Sequence, residues 1–181
     1  MINFLHIPKT GGRSIEELVD SYDHIKYWGH RQKHIVSYPS FCIVRNPYDR
    51  LVSAYFYLLH QDDPYEPDIS YREILLKYDD FEDFVMNIRV DRLDKAIIHL
   101  KPMSYYICDE GKIAIDRIFK IEEIRKIDKY LKRIGIKDKL SEVSMNQSDH
   151  KPWKDYMNKD MIEEINEIYR TDFELFDYKM L

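Results

Sequence analysis

The residues of this chain best suited to chemistry are Lys9-Thr10-Gly11-Gly12-Arg13-Ser14, which follow directly on the apolar run Phe4-Leu5-His6-Ile7. The pattern reads as a strand, a tight turn and the start of a helix. Such a turn is built to hold a phosphate. Glycines let the backbone aim its N–H groups inward, a helix start adds partial positive charge, and a lysine adds a full one. A second apolar run, Phe41-Cys42-Ile43-Val44, ends in Arg45-Asn46-Pro47. Two strand-end anion sites point to a ligand with two phosphate-like ends.

The common nucleotide loop has the form G-x-x-x-x-G-K-[ST]. Here the lysine precedes the glycine pair, and an arginine stands where an ATPase would place a magnesium-binding aspartate. The arrangement resembles another family. Pro8-Lys9-Thr10-Gly11-Gly12-Arg13-Ser14 is similar to the 5′-phosphosulfate loop of sulfotransferases, and Val44-Arg45-Asn46-Pro47-Tyr48-Asp49-Arg50-Leu51-Val52-Ser53 to their 3′-phosphate motif. The subgroup most resembled is the carbohydrate sulfotransferases of family 2 type, related to the heparan 2-O- and chondroitin-type enzymes. The segment 166–176 is similar to the family's closing segment. Lys101-Pro102-Met103 resembles a further block, with Met103 where a glutamine is usual.

The resemblance implies 3′-phosphoadenosine 5′-phosphosulfate as donor and a hydroxyl, on a sugar or glycan, as acceptor. It assigns Lys9 to the leaving oxygen and Thr10, Gly11, Gly12, Arg13 and Ser14 to the 5′-phosphosulfate. Arg45 and Ser53 go to the 3′-phosphate, with Ser148 of Asn146-Gln147-Ser148 as a further contact. A sulfuryl group carries less charge than a phosphoryl group, so no metal is expected. The acceptor hydroxyl needs a base. His30 in Trp28-Gly29-His30 resembles the glycine-histidine that supplies it, and imidazole titrates near neutrality. His34 is the nearby rival, and His99 could touch substrate. His6, inside the first apolar run, reads as a core or supporting residue, and Arg50 as a structural one. Two other classes stay open: a P-loop nucleotide kinase or phosphotransferase, and a non-catalytic nucleotide-binding protein.

The elements that must position these residues follow from periodicity. Apolar runs at 2–7, 41–44 and 117–121 read as strands, with a shorter one within 24–40. Between them Ile15, Leu18, Val19 and Tyr22 recur at helical spacing, as do Leu51, Ala54, Tyr55, Leu58 and Leu59. Further helices are expected over 81–87, 91–100, from Ile124 to a stop at Gly135, and around Met161–Tyr169, with loops at 61–70 and 137–157. Strands alternating with helices predict an α/β, P-loop-type three-layer fold, with a central parallel sheet flanked by helices.

At 181 residues the chain is expected to form a single domain, 1–181. Its formal charge of -5 argues against a generally basic nucleic-acid surface. Cys42 and Cys108 show no metal spacing, and Cys42 is expected to be a buried thiol. No run approaches a membrane span, and no leader is expected ahead of the first strand, so a cytoplasmic protein of bacterial or viral origin is expected.

Overall fold

The computed structural model describes residues 1–29, 39–60, 66–143 and 150–181. In chain order the elements open with β1 (Ile2–Leu5), α1 (Gly12–Val19), β2 (Ile25–Trp28), β3 (Ser40–Val44) and α2 (Pro47–His60). Then come α3 (Glu66–Leu75), α4 (Phe81–Asn87), α5 (Leu93–Ala96) and α6 (Ser104–Ile107). The small strands β4 (Cys108–Asp109) and β5 (Lys112–Ile113) pair with each other, and β6 (Arg117–Lys120), α7 (Ile124–Arg133) and α8 (Lys159–Leu175) close the chain.

The described chain divides into two compact units. The first comprises Met1–Arg45 and Met103–Asn146. It holds a parallel sheet in the order β2-β1-β3-β6. The expected α/β class, with its central parallel sheet flanked by helices, is the fold found. The chain leaves β1 in one direction to reach β2, then returns past it to β3. The carboxyl ends of adjacent β1 and β3 therefore form a topological switch point, where sheets of this kind bind ligands. β3 is buried along its whole length, as a parallel strand covered on both faces must be. One apolar core joins Phe4, Phe41 and Ile43 to Ile15, Leu18 and Val19 of α1 and to Ile127, Tyr130 and Leu131 of α7. α7 stops where Gly135 takes the left-handed conformation, φ 92°, that glycine adopts at least cost.

The second unit comprises Asn46–Pro102 and Gln147–Leu181. Its core is helical, with Tyr48, Leu51, Val52, Tyr55 and Leu58 of α2 against Phe84, Val85, Ile165, Tyr169 and Phe173. Asn46 caps α2, its Oδ1 accepting from Tyr48 N at 3.0 Å and from Asp49 N at 3.4 Å, and Pro47 opens the first turn as its fixed φ favours.

Three boundaries differ from expectation. The loop expected over 61–70 gives way to α3 at Glu66. Pro67 suits a first turn, and Glu66 and Asp68 complement the helix dipole there. The helix expected over 91–100 is only Leu93–Ala96, because Arg92 is left-handed, φ 57°, and Ile97 is extended. The first strand stops at Leu5, two residues early, where the chain turns toward the loop.

Candidate donor-binding site

Sheet topology puts the two anion motifs side by side within the first unit. β1 ends at Leu5, which pairs in register with Cys42 of β3. His6, Ile7 and Pro8 lead into the loop, and Arg45 is the first residue beyond Val44.

The loop's conformation is set by three local features. Lys9 has a left-handed backbone, φ 67°, a state that costs a residue with a Cβ about 1–2 kcal/mol. Thr10 is fully buried and its hydroxyl donates to the Ile7 carbonyl at 2.9 Å, closing the turn. Gly11, at φ 80°, is the N-cap of α1. A glycine cap brings no side-chain acceptor to the first N–H groups of the helix, and no acidic residue stands in the first turn. That end of α1 is suited to an anion. Strained backbone in such a loop is characteristic of a functional site.

Several side chains at the loop are cationic or hydroxylic. Lys9 is half-buried, Arg13 is exposed and Ser14 is buried. Arg45 is half-buried, and its Nη1 donates to the Lys9 carbonyl at 3.3 Å. The second motif's cation thus touches the main chain of the first motif's loop. The Arg45 N–H meets the Met103 sulfur at 3.5 Å. Met103 is fully buried, and its sulfur packs against the Arg45 main chain. A group carrying several phosphate-like charges fits this donor set of backbone N–H, lysine and arginine.

His6 is the residue whose part in the loop the sequence hides most. It is buried, with Glu16 of α1 against its Nδ1 and the Tyr27 hydroxyl of β2 at 3.4 Å from the same atom. Burial first, then the hydrogen bond and charge of Glu16, raise the Tyr27 phenol above its ordinary pKa.

Other residues singled out in the sequence lie within the second unit. Ser53 is buried in α2, and so is Arg50. His99 is buried as well, its Nδ1 3.7 Å from Oδ1 of buried Asp68, whose Oδ2 accepts from the Tyr57 hydroxyl at 3.1 Å. Sequence reasoning named His99 but not Asp68, because nothing in a pattern links residues so far apart along the chain. His30, His34 and Ser148 lie outside the described residues. Cys42 is fully buried, and its burial pushes the thiol's pKa well up.

With fold and loop in view, the comparison with known families is decisive. The model of the sulfotransferase family matches residues 2–179, and the chain belongs to that family. Sulfuryl transfer is the general chemistry this membership supports. A search of the curated proteins finds no match. Among the described residues no helix is long and apolar enough to cross a membrane.

Proposed function

We propose that residues 1–181 act as one sulfotransferase domain, moving a sulfuryl group from 3′-phosphoadenosine 5′-phosphosulfate to a hydroxyl acceptor on a carbohydrate. The observation that carries the reading is the Arg45 hydrogen bond to the Lys9 carbonyl, which joins the two anion motifs at one end of the sheet. A cytoplasmic setting stays part of the proposal.

In this reading the donor supplies an activated sulfuryl group, bonded to an oxygen that gains negative charge as the bond breaks. Lys9 neutralises that charge. An interaction stronger in the transition state than before it speeds the chemical step. Thr10, Gly11, Gly12, Arg13 and Ser14 hold the 5′-phosphosulfate. Arg45, whose planar fork suits phosphate, holds the 3′-phosphate together with Ser53 and Ser148. His30 takes the proton from the acceptor hydroxyl while that oxygen bonds to sulfur in line with the departing one.

The test is transfer from sulfur-labelled donor to a panel of sugars and glycans, run in a metal chelator. Labelled glycan and 3′,5′-adenosine diphosphate are the expected products. Phosphoryl transfer from magnesium ATP, with no sulfuryl transfer, would overturn the reading in favour of a kinase.

A further inference from the structure

Gly11 and Gly12 are glycines for different reasons. Gly11 needs its positive φ of 80°, whereas Gly12 is the first residue of α1 and is not among the positive-φ positions. What Gly12 lacks is space. A Cβ built on it would fall inside the His6 ring, against Cδ2, Nε2 and Cγ.

That ring is held from three elements. It stacks on Phe4 of β1, with ring centroids 6.3 Å apart and planes 14° from parallel. Tyr27 of β2 lies against it at 6.1 Å. Glu16 of α1 meets its Nδ1. Glu16 is four residues beyond Gly12, so both lie on the same face of α1. The imidazole therefore spans the first turn of the helix, touching the Glu16 carboxylate with one edge and the Gly12 backbone with the other. The Glu16 carboxylate and the Tyr27 hydroxyl both lie against Nδ1, which together with the stacking on Phe4 fixes the ring's orientation.

We propose that His6 is the positioning residue of the phosphate loop: its ring, anchored by Glu16, seats the Gly12 peptide so that the N–H groups at the start of α1 face the donor. The proposal rests on the donor-binding reading above. Phosphate affinity depends on the loop's N–H groups being held close to the productive geometry, and a side chain locked on three sides does this better than a flexible one. His6 acts through Gly12 and need not touch the donor.

The experiment is a double-mutant cycle over His6→Ala, Gly12→Ala and the pair, read by calorimetric affinity for 3′,5′-adenosine diphosphate and by unfolding midpoint. Side chains in contact couple by roughly 2- to 150-fold in an equilibrium constant. Gly12→Ala should lose at least about tenfold in affinity, and the pair should recover at least about fivefold of it, within that range. His6→Asn keeps a donor near Glu16 but lacks the ring edge over Gly12. It should lower the midpoint less than His6→Ala does yet weaken nucleotide binding as much, a split that a merely structural histidine would not give. If Gly12→Ala does not fold, recovery of a folded, nucleotide-binding protein in the pair supports the proposal equally. A pair no better than Gly12→Ala alone, or a His6→Asn variant that binds like the unsubstituted protein, overturns it. If the unsubstituted protein does not bind the nucleotide, the donor reading fails. The midpoints of the four proteins then decide the His6–Gly12 contact by themselves, with recovery in the pair supporting it and strict additivity overturning it.

Discussion

Arg45 Nη1 donates to the carbonyl of Lys9 at 3.3 Å, so the cation at the end of β3 is tied to the main chain of the loop after β1. Arg45 then has two tasks in the proposed mechanism: it binds the 3′-phosphate and it steadies the loop. Arg45→Ala should remove most of the protein's preference for a nucleotide carrying a 3′-phosphate. Arg45→Lys keeps the charge but loses the planar fork, and should restore only part of that preference. Full recovery in Arg45→Lys would reduce Arg45 to a point charge. Competition binding with 3′,5′-adenosine diphosphate and ADP measures this.

Lys9 separates stability from catalysis. Its left-handed backbone, φ 67°, is one that glycine adopts freely. The Cβ penalty of about 1–2 kcal/mol outweighs the greater freedom glycine has when unfolded, worth roughly 0.5–1 kcal/mol. Lys9→Gly should therefore be at least as stable as the unsubstituted protein in thermal unfolding. Its turnover should still collapse, and Lys9→Ala should lose turnover far more than donor affinity. A loss confined to affinity would make Lys9 a ground-state anchor.

Much of this was legible in the residues. The strand-loop-helix order around Lys9 and the strand end at Arg45 could be read because apolar runs, glycines and charges are local signals. Likewise Ile124, Ile127 and Leu131, ending at Gly135, gave the helix after the last sheet strand its place and its stop. The pairing of Glu16 with His6 could not be read. It depends on α1 folding back over the end of β1, and residues ten apart carry no mark of meeting there. Asp68 was hidden in a stretch whose aspartates and prolines look like a loop but in part form the first turn of a helix.

Tyr78 gives a pH signature for the second unit. Burial, then the hydrogen bond to Asp91 at 2.5 Å, hold its phenol up at about 12, against an ordinary 10.0. Its contribution to stability is complete below 10.0, where both folded and unfolded forms keep the proton, and is lost as the pH rises through about 12. Tyr27 acts in the same direction in the first unit. Unfolding free energy should fall over this window, and Asp91→Asn should shift the phenolate absorbance titration of Tyr78 toward 10.0. An unshifted titration in that variant would show that burial alone raises it.

His30→Ala should abolish transfer to a verified acceptor while leaving nucleotide binding intact, since loss of a general base costs about 10²–10⁴-fold in rate. If His30→Ala stays active and His34→Ala does not, the base is His34. If both stay active, the base assignment fails while the donor site stands.

The most direct test of the donor assignment is calorimetric binding of 3′,5′-adenosine diphosphate set against ADP. The two differ in the position of one phosphate, and only the first presents the 3′-phosphate assigned to Arg45 and Ser53. A charge-assisted hydrogen bond contributes about 1.5–3 kcal/mol, so the account predicts a preference of at least about tenfold for 3′,5′-adenosine diphosphate, undiminished in a metal chelator. Equal affinity for the two nucleotides, or tighter binding of ADP with magnesium, would contradict it.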